Sequence, residues 1–256
     1  MSGAGRTGVD WDAATYDRIS EPQLAWAREQ LERLVLGGDE VVLDAGCGSG
    51  RVTALIAERV PNGAVYGVDV APSMVRHARE ALGEGATILC QDLLELDLPE
   101  PVDAVFSNAT FHWIADHARL FEVLRAAMRP GARLVAQCGG AGNIAEFRAR
   151  ADAVAGSAQF ASYFRGWRGP WNYANAEQTA ARLSDAGFEY VKTWLAPKPT
   201  PLADPRGFVE TVCLVRHLDR LPPEVRRSFV DSVLGTYGDR PVVLQYMRLN
   251  MTASAR

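Results

Sequence analysis

The chain has 256 residues and a formal net charge of −4 at pH 7; hydrophobic residues make up 48% of it and charged residues 23%. These values predict one large α/β domain with insertions and exclude a disordered chain. The acidic balance excludes a nucleic-acid partner, and the lack of an apolar leader or bilayer-length run predicts a cytoplasmic protein with no membrane contact.

The first predicted element is a helix over residues 21–36, where Leu24, Ala27 and Leu31 recur at helical spacing. A short buried strand over 40–44, a glycine loop and a helix over 52–60 follow. Alternation of strands and helices predicts a parallel sheet covered by helices on both faces. The remaining elements of this region are strands over 64–69, 86–91, 102–107 and 133–137, helices over 72–82 and 116–128, and a turn over 129–131.

Beyond residue 138 the alternation loosens, and an aromatic-rich stretch occupies residues 163–173. A helix over 177–186 and a strand over 188–195 restore the order, and the proline-rich residues 196–205 predict a connection out of the sheet. Helices over 206–237 and a last strand over 242–251 complete the prediction.

The loop at residues 44–50 joins the first strand to its helix, at the strand end where parallel sheets bind ligands. Glycines there let the backbone approach a ligand closely. A dinucleotide fingerprint needs its third glycine where Arg51 stands, whereas this loop has Gly50. Asp44 would repel a pyrophosphate and suits a ligand with ammonium and sulfonium charges. The loop therefore disfavours a nicotinamide dehydrogenase and favours a cationic ligand.

Two more acids follow the next two strands. Asp69 ends the second strand, where a carboxylate can accept hydrogen bonds from ribose hydroxyls. Asp92 follows the third strand, within reach of an adenine amino group. Each acid could instead cap a helix, and for Asp92 the two interpretations carry equal weight. Together with the loop, the acids predict an adenosyl ligand.

Residues 40–137, and above all the string Leu43-Asp44-Ala45-Gly46-Cys47-Gly48-Ser49-Gly50, resemble the class I S-adenosylmethionine-dependent methyltransferases. The resemblance implies a Rossmann-like, doubly wound, mostly parallel seven-stranded sheet with an antiparallel last strand and helical lid insertions. It implies S-adenosylmethionine as cofactor, with Gly46, Gly48 and Gly50 around the methionine portion, Asp69 on the ribose and Asp92 at the adenine. The other expected cofactor-binding residues are Tyr16, Asp44, Val70, Leu93 and Asn108.

A narrower resemblance rests on two strings, Trp11-Asp12-Ala13-Ala14-Thr15-Tyr16 and Asn108-Ala109-Thr110-Phe111-His112-Trp113. They look like those of the trans-aconitate methyltransferase group and related carboxyl methyltransferases, which methylate small acids. No arginine cluster in the sequence indicates a tricarboxylate site.

His112 is the candidate catalytic residue. It can donate a hydrogen bond to an acceptor carboxylate or take a proton from a hydroxyl, or it can be a structural histidine. The other histidines, His77, His117 and His217, are predicted at the surface. The candidate substrate-binding residues, each of which could instead have a packing role, are Gln23, Trp26, His112, Trp113, Trp167 and Trp171.

The sequence thus predicts an enzyme that transfers a methyl group to a small-molecule acceptor, with a carboxylate oxygen favoured. A hydroxyl or carbon acceptor and a catalytically silent adenosyl-binding protein are the alternatives. No metal is expected, because the four cysteines lack metal-ligand spacing; they are predicted to be reduced and buried. We expect one domain over residues 1–256, with N-terminal cap helices over 1–38, a cofactor-binding core over 39–138, and lid insertions over 139–174 and 200–237.

Overall fold

The computed structural model describes residues 20–256 and contains a seven-stranded sheet in the order β3-β2-β1-β4-β5-β7-β6. Strands β3, β2, β1, β4 and β5 are parallel to one another, and β7 runs antiparallel to both β5 and β6. The predicted Rossmann-like sheet with an antiparallel last strand is confirmed. The strands are β1 (Val41–Ala45), β2 (Ala64–Asp69), β3 (Thr87–Cys90), β4 (Val102–Asn108), β5 (Met128–Gly139), β6 (Phe188–Pro201) and β7 (Val243–Ala255).

Helices connect these strands and cover the sheet. They are α1 (Glu21–Leu31), α2 (Arg51–Ala57), α3 (Pro72–Leu82), α4 (His117–Ala126), α5 (Ala145–Ala155), α6 (Ala176–Asp185), α7 (Pro205–Phe208), α8 (Val215–Leu218) and α9 (Pro223–Gly235). Within residues 20–256, no helix is both long enough and apolar enough to cross a membrane.

Alternate residues of the strands pack on opposite faces of the sheet, as the two-residue period of a strand requires. Val42 and Phe106 face one cluster together with Leu31 of α1. Leu43 and its partner Val105 face the other cluster, with Phe121 of α4 among its members. The core therefore lies on both sides of the sheet, and the strand ends are left to build a site.

A third hydrophobic cluster lies beneath the helices of the less regular part of the chain. It brings together Phe147 of α5, Phe208 of α7 and Phe229 of α9 with Leu244 near the start of β7. The helices of residues 206–237 thus pack over one end of the sheet through their own apolar core, which fixes their position beside the carboxyl edge.

Several predicted boundaries differ from the structure, and three of the differences have a physical reason. Helix α1 ends at Leu31 because the next residues tighten into i→i−3 hydrogen bonds, such as that from Leu34 N–H to the Leu31 carbonyl. The turn over 129–131 lies within β5 as a bulge, since Val102 pairs with Met128 while Ala104 pairs with Arg133.

The proline-rich segment was expected to leave the sheet, but β6 continues through it to Pro201 and pairs with β7 throughout. Proline lacks a backbone N–H and is tolerated in a sheet only on an edge strand. Because β6 is the last strand of the sheet, the prolines at 197, 199 and 201 fit there.

Two histidines and one cysteine also differ from expectation. His117 and His217 are buried, whereas isolated histidines on amphipathic helices were expected at the surface. Burial of His117 is compensated by a 2.9 Å hydrogen bond between its Nε2 atom and the Phe111 carbonyl oxygen. His217 is buried because it packs among aromatic rings. Cys90, at the end of β3, is exposed; the other three cysteines are buried as expected.

Candidate active site

A cleft opens at the carboxyl edge of the sheet. It lies where the strand order reverses between β1 and β4, the usual ligand position in doubly wound sheets. The loop after β1 and the ends of β2, β3 and β4 converge there. Predicted cofactor residues that line the cleft are Gly46, Gly48, Asp69, Val70, Asp92, Leu93 and Asn108.

Two predicted cofactor residues do not line the cleft, and a third is not among the described residues. Asp44 lines a separate recess, which it shares with Gln23 and Asn108 and which adjoins the cleft at Gly46 and Gly48. Gly50 does not line the cleft; a side chain on it would meet Leu82 and Ala78 of α3, so its role is to let two elements approach. Tyr16 lies outside the described residues.

The glycine loop needs its glycines for different reasons. Gly46 has a φ of +85°, and a Cβ on it would lie 2.1 Å from the Thr110 Oγ1 atom, so neither the conformation nor the space admits a side chain. Gly48 has a φ of +54°, and a Cβ on it would meet nothing within 4 Å. Its N–H donates to the Asp69 Oδ2 atom at 3.0 Å. The first glycine allows the loop to pack, and the second leaves open cleft above the backbone.

Asp44 is 2% exposed at the end of β1. Burial raises the pKa of its carboxyl group to about 7; the Thr53 hydroxyl, which donates to Oδ2 at 2.7 Å, opposes the rise, and the nearby Asp69 adds to it. A carboxylate in such a position is stabilised by any cation that enters the recess.

Two amide oxygens accompany Asp44 in the recess. The Gln23 Oε1 and Asn108 Oδ1 atoms are buried and have no hydrogen-bond partner among the described residues. Asn108 is oriented by its Nδ2 atom, which donates to the Gln23 backbone carbonyl at 3.0 Å. One carboxylate and two free acceptor oxygens fit an ammonium group, which carries only donors. The recess therefore fits the amino end of a cationic amino-acid ligand.

The other two acids differ in how they are held. Asp69 accepts hydrogen bonds from the N–H groups of Gly48 and Ala71, and burial raises its pKa in spite of them. The Asp92 Oδ1 atom accepts from the Leu94 N–H at 3.0 Å and caps a short 3-10 turn, Leu93–Glu95. The capping interpretation of Asp92 is thus correct, and the residue also lines the cleft.

A second, smaller pocket lies beside the cleft. Ala109 and Trp113 line both the pocket and the cleft, and Gln23 lines both the pocket and the recess, so the pocket adjoins the other two cavities. Ala109 has a φ of +59°, a conformation that a side chain rarely adopts, and its small methyl group stands at the junction. The predicted residues Gln23, His112, Trp113 and Trp171 line this pocket.

The two other predicted substrate residues do not line it. Trp26 lies behind the wall, with its ring 5.0 Å from that of Tyr246 and 4.8 Å from the guanidinium carbon of Arg248. Trp167 packs on Phe164 and, edge to face at 4.6 Å, on His217. Sequence spacing could not separate these two tryptophans from Trp113 and Trp171.

His112 is 7% exposed, on the 3-10 turn Phe111–Trp113. The turn is tied to the aromatic stretch because Asn172 donates its N–H to the His112 carbonyl at 2.8 Å. Burial, then the positive charges of Arg248 and His117, hold the pKa of His112 well below its usual range. The Gly139 N–H donates to Nδ1 at 3.3 Å, so the neutral ring carries its proton on Nε2. His112 is therefore a neutral hydrogen-bond donor on the pocket wall.

Sequence reasoning missed several residues of the pocket, and the most important of them is Arg248. It is 2% exposed and lines the pocket with His112, and β7 places it opposite Gly139 of β5. Its Nε atom donates to Gln137 Oε1 at 3.1 Å, and Gln137 Nε2 donates to Asn250 Oδ1 at 2.7 Å. The signal was a single arginine flanked by Met247 and Leu249 in an apolar strand. A buried guanidinium with five N–H donors recognises an anion.

Comparison with known proteins agrees with this geometry. A family model described as a methyltransferase domain matches residues 42–131. The chain is 32% identical over 241 residues to a trans-aconitate 2-methyltransferase of Methylobacterium radiotolerans, covering 88% of this chain and 87% of that protein. It is 38% identical over 103 residues to a malonyl-[acyl-carrier protein] O-methyltransferase of Anoxybacillus flavithermus, covering 40% and 39%.

Solved structures share the fold. The YcgJ protein of Bacillus subtilis superposes with a TM-score of 0.64 at 13% identity, covering 91% of this chain and 99% of that one. Phosphoethanolamine N-methyltransferase 2 of Haemonchus contortus, solved with S-adenosyl-L-methionine, superposes with a TM-score of 0.61 at 20% identity, covering 95% and 56%.

Proposed function

Because the chain belongs to the class I S-adenosylmethionine-dependent methyltransferases, in the group of the trans-aconitate 2-methyltransferases, we propose that it methylates a carboxylate oxygen of a small organic acid. The enzyme uses S-adenosylmethionine as its methyl donor. The observation that carries the proposal is that the buried Arg248 and the neutral donor His112 line one pocket, which adjoins the cofactor cleft at Ala109 and Trp113.

The cleft residues suit the cofactor. The recess of Asp44, with the Gln23 and Asn108 oxygens, would receive the ammonium group. Asp69 would accept from the ribose hydroxyls, and Asp92 lies on the wall for the adenine. Gly48 leaves room for the backbone to lie against the ligand. When bound, S-adenosylmethionine supplies a methyl group activated by its sulfonium charge, so the chain's own task is to align the acceptor.

In this proposal, Arg248 and His112 hold the acceptor carboxylate between them. The guanidinium binds it electrostatically, and the Nε2–H of His112 donates a hydrogen bond that fixes its orientation. One oxygen is left facing Ala109 and Trp113, where the pocket adjoins the cleft. A carboxylate is already a nucleophile at neutral pH, so no proton has to be removed.

The alternative acceptors ask for a base. A hydroxyl or carbon acceptor must lose a proton, and a histidine whose pKa lies well below its usual range is a weak base. Two other titratable residues line the pocket, Cys213 and Tyr173, and both are neutral because burial raises their pKa values. These properties favour the carboxylate over a hydroxyl.

The test is methyl transfer by the full-length protein from labelled S-adenosylmethionine to a panel of acids, phenols and β-keto compounds. We expect transfer to acids, with a product that mild base hydrolyses as an ester. Transfer to a phenol or a β-keto compound but to no acid would refute the carboxylate. Tight cofactor binding without transfer to any class would indicate a silent adenosyl-binding protein.

A further inference from the structure

We infer that the acceptor is a monocarboxylate with a flat apolar body, and that acids with a second or third carboxylate are poor substrates. The inference rests on the proposed function and specifies the substrate class of the same pocket. It departs from the tricarboxylate that names the relative described above.

The charge of the pocket is the first argument. Among the described residues that line it, Arg248 is the one cation. His112 is neutral because its pKa is held well below the usual range, and the remaining polar walls are amides, phenols and a buried thiol. Arg148 is a second cation nearby, with its guanidinium carbon 5.3 Å from the centre of the Tyr173 ring, but it does not line the pocket. The described walls therefore match one carboxylate.

The aromatic walls are the second argument. The rings of Trp171 and Tyr173 are stacked, with centres 5.7 Å apart and planes 10° from parallel. Trp113 stands 6.3 Å from Trp171, and Tyr246 closes another side. Ring faces bind flat apolar groups and carry no positive charge. A second carboxylate would lose its water against these walls without meeting a second cation among the described residues.

The way the pocket is held is the third argument. Arg248 is fixed by Gln137, which is fixed in turn by Asn250, and Asn250 Nδ2 donates to the Arg248 carbonyl at 3.1 Å. Such a buried network keeps the guanidinium in one place and stops it from following a carboxylate elsewhere on the acceptor. The position of the anion, and hence of the methylated oxygen, is set by the protein.

The test compares three acids with the full-length enzyme: cinnamate, 4-carboxycinnamate and trans-aconitate. The first two share one flat body and differ by a single carboxylate, so they form a matched pair. We expect kcat/KM for cinnamate to exceed the values for both other acids by at least about 100-fold, which is near 2.7 kcal/mol. Methyl esters are measured by mass spectrometry.

The outcomes separate the inference from the proposed function. A kcat/KM for trans-aconitate or 4-carboxycinnamate equal to or above that of cinnamate would overturn the inference and leave carboxylate methylation standing. The absence of ester from every acid would overturn the proposed function itself.

Two substitutions of Trp171 and one control substitution test the aromatic wall. Trp171→Leu removes a ring that lines the pocket and should raise KM for cinnamate at least about tenfold, with a smaller change in kcat. Trp167→Leu is the matched control, because its ring packs on His217 outside the pocket. Trp171→Phe, which keeps a flat ring, should recover most of the affinity. Equal KM values for Trp171→Leu and the unmodified enzyme, with an unchanged melting temperature, would refute the wall.

Discussion

Replacing Asp44 by Asn tests the recess that adjoins the cleft. The substitution keeps shape and the contact with Thr53 but removes a buried charge. In the proposed complex that charge faces an ammonium group. Losing one partner of a buried, hydrogen-bonded charge pair costs about 2 kcal/mol or more, so we expect the Kd to rise by at least about 30-fold.

The pH dependence of cofactor binding gives a second quantitative expectation for Asp44. The pKa of Asp44 is about 7 in the ligand-free protein, and a bound cation stabilises only the ionised form. With that value, the ionised fraction falls from about 0.76 at pH 7.5 to about 0.09 at pH 6.0, so the affinity should fall about eightfold as the pH is lowered. The raised pKa of Asp69 acts in the same direction.

The assay is calorimetric titration of S-adenosylhomocysteine, which keeps the amino group but allows no turnover. Asp44→Asn should bind weakly at both pH values, with most of the eightfold change lost. Asp103→Asn is the control, because Asp103 lies near the start of β4 in a salt bridge with Arg129 and does not line the cleft. The role given to Asp44 is wrong if the affinity of the unmodified protein does not change between these pH values. It is also wrong if Asp44→Asn shows the full eightfold change.

Three further predictions follow from the site. Gly48→Ala should lower the free energy of unfolding by only about 1 kcal/mol, because the added Cβ has space, but it should raise the Kd of S-adenosylhomocysteine more than about tenfold. Gly131→Ala is the control, because Gly131 has a φ of +79° and similar space around it. This variant should leave the Kd unchanged in the same titration. His112→Ala should lower kcat/KM for the acid about 10- to 100-fold, because a charge-assisted hydrogen bond is lost. The kcat of the unmodified enzyme at saturating cofactor should stay constant from pH 6 to 8, because His112 is neutral throughout this range. An inflection near pH 6.5 that His112→Ala abolishes would contradict this expectation. Arg248→Met should lower kcat/KM for the acid at least about 30-fold, and Arg248→Lys should recover part of the activity. The Kd of S-adenosylhomocysteine should stay within about twofold in both variants. Equal kcat/KM values with and without the guanidinium would exclude Arg248 as the anion site.

The cofactor half of the site was predictable because it is local. Its residues lie at the last positions of a strand or in the few positions after it, and parallel strands present their carboxyl ends at one edge of the sheet. The order of the motif along the chain therefore gives its arrangement in space. Asp44, Asp69 and Asp92 could be placed from these strand ends alone.

The acceptor half depends on contacts between distant parts of the chain. Arg248 reaches His112 only because β7 pairs with β5 in a register that sets Arg248 opposite Gly139. Periodicity does not specify a register between strands more than 100 residues apart. Trp171 and Trp167 were indistinguishable for the same reason, since packing against α8 and α9 decides which ring faces the pocket.

The same limit explains the error at β6. Prolines at alternate positions are a breaker signal in isolation, and only the strand's place at the end of the sheet makes them compatible with pairing.

Those prolines have a consequence for how copies of the enzyme can meet. The bonds from β6 to β7 use one side of the strand, and at Pro197, Pro199 and Pro201 the opposite side has carbonyl oxygens but no N–H to offer. An incoming strand would find three consecutive donor positions missing from its ladder. Along this stretch the sheet is therefore closed to strand addition, and an association between copies at this part of the sheet edge has to use side-chain surfaces instead.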